Sequence, residues 1–314
     1  MTSPATERLY DELAALLNCD LDGRCRRNEL LSNHTSFKIG GSAALWVELG
    51  SLADLRRVHE LAADQGLETT ILGRGTNILA SDTGYAGICL VLGSGFREMT
   101  LDHEQESLRA GAGAPLARLL QSAQHAGLSG LEFCAGIPGT FGAAVAGNVG
   151  TRDEWIGACI REVTVYDPDA GLRLLRPSDI QFQYRSSSLR NRVTILGARL
   201  ALRADDARRI ARRVEGALAR RKATQPLFSP NAGSIFKNPE GASAGDLIEK
   251  VGMKGARCGG AQVSKLHANF IINRGDARAI DVMRLIREIR DKVLTSYDIE
   301  LRPEIQFLGT FDER

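Results

Sequence analysis

A chain of 314 residues is long enough to bury a sizeable core and to divide into two or three compact units. Apolar residues make up 43% and charged residues 25%, which excludes both the low hydrophobicity of disordered chains and the long apolar run of a membrane span. A formal net charge of +2 is too near zero to argue for a nucleic-acid or membrane-surface partner.

The opening stretch, Met1 to Leu17, is amphipathic and carries Glu7, Asp11 and Glu12, unlike the basic and then apolar layout of an export signal. From Ala44 to Val91 short apolar runs flank one amphipathic helix, the layout of a β-α-β unit. Ser51 is expected to cap that helix with Asp54 three residues on, Leu55, Val58 and Ala62 form its buried stripe, and Gly66 suits the left-handed position beyond its end. The strand Thr69 to Leu72 then runs into Gly73-Arg74-Gly75-Thr76-Asn77. A second unit follows: Ser107 to Ala110 leads through Gly111-Ala112-Gly113-Ala114 to Pro115, expected at the first helical position, and Leu116, Leu119, Leu120 and Ala123 give that helix its apolar face.

Glycines recur from Gly136 to Gly150, predicting a loop with small helical turns. Arg161 to Tyr166 and Val193 to Arg203 read as strands. Arg208 to Lys222 reads as the solvated face of a basic helix on which Ile210, Val214 and Leu218 recur every fourth residue. After a linker at Ala223 to Pro230, a short helix (Ser243 to Lys250), a strand (Ala268 to Asn273), a long helix (Asp276 to Ser296) and a terminal strand (Ile299 to Phe307) complete an α+β order. In that last strand Ile299, Leu301, Ile305 and Phe307 are expected on one face, and Glu300, Arg302, Glu304 and Gln306 on the other. The cysteines at 19, 25, 89, 134, 159 and 258 form no CxxC pair and no metal-ligand spacing, so reduced thiols in the cytosol and no metal are expected.

Glycine-rich turns after strands expose backbone N–H groups, a physical basis for holding a pyrophosphate. The Gly73 run lacks both GxGxxG spacing and a P-loop Lys-Ser/Thr ending. Paired with Ala135-Gly136-Ile137-Pro138-Gly139-Thr140-Phe141-Gly142, it points to a phosphate-bearing cofactor whose identity the loops leave open. Ser234 lies in a polar turn with no GxSxG elbow, and His267 reads as a structural histidine.

Taken together, Thr35-Ser36-Phe37-Lys38-Ile39-Gly40-Gly41, Gly73 to Asn77, Ala135 to Gly142, Tyr184-Arg185, Ala232 to Pro239, Gly259-Gly260-Ala261-Gln262-Val263, His267-Ala268-Asn269-Phe270 and Pro303-Glu304 resemble the UDP-N-acetylenolpyruvoylglucosamine reductase family, in the family's order. The resemblance implies a two-subdomain FAD-binding fold of the vanillyl-alcohol-oxidase type plus a C-terminal α+β substrate domain. The divisions it implies are 1-95 and 96-222 for the two FAD-binding subdomains, 223-302 for the substrate domain, and 303-314 for a strand and tail returning towards the active site. It implies noncovalent FAD, NADPH as co-substrate, a UDP-sugar enolpyruvyl ether as the small-molecule substrate, and a cytoplasmic enzyme of cell-wall precursor synthesis; the oligomeric state is left open, a monomer being compatible with the sequence.

Carried over by position, the catalytic residues are Arg185, Ser234 and Glu304. Those at the cofactor are Gly73, Arg74, Gly75, Thr76, Asn77, Ile78, Gly136, Ile137, Pro138, Gly139, Thr140 and Gly142, and those at the substrate are Tyr184, Lys237, Asn238 and Gln262. The chain departs from the family's usual pattern at Asn148-Val149-Gly150-Thr151 and the following Arg152-Asp153-Glu154-Trp155, and at Thr224, where a lysine is common. The tyrosine-bearing insertion of one subgroup is absent after Tyr184. Two other readings remain: another FAD-dependent oxidoreductase of the same fold, such as a sugar or lactone oxidase, and a catalytically silent FAD- or nucleotide-binding module.

Overall fold

Ser51 caps the helix Leu52–Asp64 by accepting from the Asp54 N–H, and Gly66 takes φ 62° just past its end. The computed structural model describes residues 4–311, and these separate into two compact units. Among the described residues the first comprises 4–27, 45–73 and 87–220, and the second 28–44, 74–86 and 221–311.

The first unit carries two sheets. One has the order Arg24–Leu30, Ser42–Leu49, Tyr85–Leu92, Thr69–Ile71, its last pair parallel. The other is a five-stranded antiparallel sheet in the order Gly171–Leu175, Ile160–Asp167, Thr194–Ala201, Ser107–Gly111, Met99–Asp102. Val163, Val165 and Leu200 are fully buried on the central strands of this sheet. The helix Leu116–His125 buries the predicted Leu116, Leu119, Leu120 and Ala123, but Pro115 stands one position earlier than expected, as the N-cap at φ −63° and ψ 129°. The glycine-rich stretch contains the short helix Phe141–Ala146.

On the basic helix Ala207–Thr224 the core contacts come from Ile210 and Val214, while Leu218 is half-buried. One of its arginines is not merely solvated. Arg213 donates through Nε (2.9 Å) and Nη2 (2.8 Å) to buried Glu132, and through Nη2 to Asp205 at 2.6 Å. Glu132 also accepts from Gly130 N at 2.7 Å and Ser129 Oγ at 2.9 Å. Burial alone raises the Glu132 carboxyl, but the hydrogen bonds from Gly130, Arg213 and Ser129 outweigh it and hold the group below the ordinary carboxylate range. A depressed folded value contributes stability that is present above the ordinary range and is lost as the pH falls through it. Glu132→Gln is therefore expected to destabilise the fold by about 1–3 kcal/mol at pH 7 and by less at pH 3, read from urea midpoints; an equal loss at both pH values would contradict a role for the charge.

The second unit is built on an antiparallel sheet ordered Asn231–Ser234, Phe270–Asn273, Ala261–Val263, Arg257–Cys258. The long helix Ala279–Tyr297 covers it, burying Val282, Leu285, Ile286, Ile289 and Val293 at helical spacing. Asp82 accepts from Ala279 N (2.8 Å) and Ile280 N (3.1 Å), satisfying the first free donors of that helix. Phe37, Ile39 and Leu79 complete the core from the earlier segments.

The terminal strand differs from expectation. Regular pairing is confined to Gln306–Leu308, which runs parallel to Ile78–Ala80, while Pro303 makes a single bridge to Phe236. Proline has no N–H to give the ladder, and the chain bends at Ile305, so the two-residue alternation breaks there. Leu301, Ile305 and Leu308 are buried and Phe307 is exposed.

Candidate active site

Gly73, Gly75 and Gly142 of the two loops are required first by the packing of chain on chain. Gly75, at φ 57°, has no room for a Cβ against the His34 carbonyl oxygen and Thr35 Cα. A Cβ on Gly142 would stand 2.7 Å from that of Ala112, and one on Gly73 would stand 2.8 Å from Thr140 Oγ1. What the loops present to a ligand is backbone and hydroxyl chemistry. Gly136 (φ 73°) and Pro138 are exposed, and Gly139 takes φ 131°. Thr140 is the N-cap of Phe141–Ala146 yet spends no side-chain hydrogen bond on it. In the second unit Arg74 is exposed, and Thr76, Asn77 and Ile78 are half-buried. In the first unit the main-chain donors of the Gly136–Gly139 turn and the Thr140 hydroxyl, and in the second unit the Arg74 guanidinium and the Thr76 hydroxyl, are each groups of the kind that bind phosphate.

Asn77 has a further task. Its Nδ2 donates to the Glu304 carbonyl at 3.1 Å, and its own carbonyl accepts from Gln306 N at 2.9 Å. From the other side Glu304 N donates to Ile235 O at 2.8 Å and Lys237 N to Arg302 O at 2.9 Å, so the segment after Ser234 pairs antiparallel with the segment holding Glu304. Ser234 itself follows a bulge: Gly233 takes φ 78°, its N–H donating to Asn231 Oδ1 at 2.8 Å, and the strand register shifts between Asn231 and Ser234. Buried Asn269 fixes the same frame. Its Oδ1 accepts from Phe236 N (2.9 Å), its Nδ2 donates to Phe236 O (2.8 Å), and its carbonyl accepts from Ile235 N (2.8 Å). The second unit thereby brings Ser234, Glu304 and the Gly75–Asn77 turn into one hydrogen-bonded frame. Ser234 and Glu304 are each half-buried, open enough to meet a ligand.

In the first unit Tyr184 and Arg185 are the two-residue turn of the hairpin Phe182–Gln183 and Ser186–Ser187. Arg185 takes φ 57°, uncommon for a side-chain-bearing residue and a mark of a held conformation. Its guanidinium lies over the Tyr184 ring, 5.4 Å from the centroid, and its Nη1 donates to Gly150 O at 2.6 Å. Tyr184 is half exposed, so it is not the packed aromatic that its type alone would allow.

Of the other substrate-assigned residues, Lys237 is half-buried and Asn238 is exposed, with its Oδ1 accepting from Ala244 N at 3.0 Å at the start of the helix Ala244–Lys250. Gln262 is buried and its Nε2 donates to Gly255 O at 3.1 Å. His267 accepts from Asn269 N through Nδ1 (3.2 Å) and packs on Phe270; burial pushes its ring below the ordinary histidine range, so it stays neutral near pH 7. Sequence reasoning missed the positioning work of Asn77 and Asn269. For Asn269 the available signal was its place in the His267 to Phe270 landmark.

Two family models match, an FAD binding domain over residues 43–174 and the UDP-N-acetylenolpyruvoylglucosamine reductase C-terminal domain over residues 225–308. The chain is 43% identical over 297 residues to the UDP-N-acetylenolpyruvoylglucosamine reductase of Moorella thermoacetica, covering 95% of this chain and 97% of that one. It is 41% identical over 292 residues to that of Heliobacterium modesticaldum, covering 92% of each. The crystal structure of the Thermus caldophilus UDP-N-acetylenolpyruvylglucosamine reductase superposes with a TM-score of 0.80 at 34% identity, covering 91% of this chain and all of that one.

Proposed function

The chain belongs to the UDP-N-acetylenolpyruvoylglucosamine reductase family, and from that premise we propose that Arg185, Ser234 and Glu304 carry the substrate half of its reaction. It is an FAD-dependent oxidoreductase of peptidoglycan precursor synthesis that reduces UDP-N-acetylenolpyruvoylglucosamine to UDP-N-acetylmuramic acid with NADPH. Bound FAD supplies hydride transfer, from NADPH to the enolpyruvyl C3. The chain's own residues handle what that transfer creates. Electron density moves from the double bond to C2 and into the neighbouring carboxylate. The Arg185 guanidinium pairs with that carboxylate through its fork of donors and stabilises the developing charge. Ser234 Oγ–H gives its proton to C2 as general acid. Glu304 polarises the hydroxyl and carboxylate network around that transfer.

The observation that supports this assignment is the frame in which Ile235, directly after Ser234, accepts the Glu304 N–H while Asn77 holds the Glu304 carbonyl. A sugar or lactone oxidase has no use for a held proton donor of this kind. Reduction with NADPH in D2O is expected to place solvent deuterium at C2; protium retained at C2 would contradict protonation there by an exchangeable donor such as the Ser234 hydroxyl.

We assign the flavin contacts to Gly73–Ile78 and to Gly136–Thr140 with Gly142, the binding being noncovalent, and the substrate contacts to Tyr184, Lys237, Asn238 and Gln262. Only residues 188–193 separate the Arg185 hairpin from the strand Thr194–Ala201, which supports the subgroup without a tyrosine-bearing insertion. We place the enzyme in the cytoplasm on the family reading; no helix among the described residues is long and apolar enough to cross a membrane.

A further inference from the structure

Asn148 opens the run in which this sequence departs from the family pattern. It is 5% exposed and takes φ 45°, a left-handed conformation that asparagine tolerates better than most residues. Its side chain works in two directions, Nδ2 donating to Gln183 O at 2.8 Å and Oδ1 accepting from Gly157 N at 3.1 Å. Gln183 is the last strand residue before the Tyr184-Arg185 turn and pairs with Ser186 on its far side. Two residues beyond Asn148, Gly150 offers the carbonyl that Arg185 Nη1 reaches. One short segment thus grips Arg185 twice, by the backbone at its root and by the guanidinium at its tip.

The grip has its own supports. Gly150 pairs with Trp155, and a Cβ on Gly150 would collide with the Glu154 carbonyl and the Trp155 backbone, so only glycine fits there. The returning arm of the hairpin is tied by Ser187 Oγ donating to Ala146 O at 2.9 Å. A free arginine side chain samples many rotamers, and the turn conformation of Arg185 is itself strained, so a guanidinium aimed in advance of binding requires such outside restraint.

We propose that Asn148 is a positioning residue that aims the Arg185 fork at the substrate's carboxylate. The proposal rests on the reading of Arg185 given above and acts through it; Asn148 touches no reacting atom. Small displacements of an orienting group cost disproportionately, about 10²-fold for roughly 1 Å.

The test compares Asn148→Gly, Asn148→Asp and Arg185→Ala. Glycine keeps the left-handed backbone and deletes both hydrogen bonds, whereas aspartate keeps the acceptor for Gly157 N and loses the donor to Gln183 O. Both anaerobic half-reactions are followed by stopped flow, alongside flavin content, melting temperature and calorimetric affinity for UDP-N-acetylmuramic acid. Both Asn148 variants are expected to keep flavin content and NADPH-dependent reduction close to the parent and to stay folded at the assay temperature, with a melting temperature lowered by the lost hydrogen bonds, while weakening sugar-nucleotide affinity and slowing reoxidation about 10- to 100-fold. Parent-like reoxidation in the Asn148 variants beside a slow Arg185→Ala would overturn this inference and leave the Arg185 reading standing. Parent-like reoxidation in Arg185→Ala would remove the premise and overturn both. Loss of flavin, or unfolding at the assay temperature, together with loss of both half-reactions would make Asn148 a fold residue and also reject its positioning role.

Discussion

Replacing Ser234 by alanine leaves NADPH-dependent flavin reduction near the parent rate and slows reoxidation by the enolpyruvyl sugar nucleotide about 10²- to 10⁴-fold, the usual contribution of a positioned acid. The separation follows from the chemistry. Hydride arriving from NADPH needs no proton at the substrate, whereas the charge left on C2 after the second hydride transfer must be quenched. The fold of the variant should survive, because Ser234 stands at a bulge whose geometry is set by Gly233 and Asn231, and because Asn269 grips the backbone beyond it. Stopped-flow measurement of each half-reaction checks this, and equal loss of both would assign Ser234 a structural role instead.

Arg185→Ala is expected to slow reoxidation about 10²- to 10³-fold, in the range for removing a charged donor from developing negative charge. Substrate affinity should fall as well, because the carboxylate is present before the reaction and pairs with the guanidinium in the ground state. Arg185→Lys should recover little, since a lysine head cannot reproduce the planar fork or reach Gly150 O and a carboxylate together in that orientation. A Lys variant at the parent rate would show that a point charge suffices and that the held fork is immaterial.

The elements written most plainly in the sequence were those with local signals. Ser51 with Asp54, and the stripe Leu116, Leu119, Leu120 and Ala123, are a cap and a periodicity that a short window contains. The end of the chain was less legible because one proline and one bend were enough to move Phe307 from the buried face to the exposed one. The linear division of the chain into domains had no access to a different fact, that residues 28–44 and 74–86 join the C-terminal residues in one compact unit.

The candidate site was legible through spaced landmarks and not through local chemistry. Ser234 in its turn looked like any serine, and the Glu304 strand like any edge. What gives them a frame is Asn77, 227 residues from its partner Glu304 in sequence, and Asn269, 33 residues from Phe236. Hydrogen bonds between an amide side chain and a distant backbone leave no periodic trace, so no window reading finds them. The packing demand on Gly73, Gly75 and Gly142 leaves no trace in the sequence for a related reason. Their missing side chains face His34, Thr35, Ala112 and Thr140, neighbours that only the folded chain brings up against them.

The central claim, a flavin-mediated transfer from NADPH to an enolpyruvyl sugar nucleotide completed by Ser234, is tested most directly by reducing the FAD-loaded protein with NADPH under anaerobic conditions and then adding UDP-N-acetylenolpyruvoylglucosamine. The account predicts prompt return of the oxidised flavin absorbance with formation of UDP-N-acetylmuramic acid in equal amount. A reduced flavin that ignores the sugar nucleotide yet reoxidises when oxygen is admitted would contradict it.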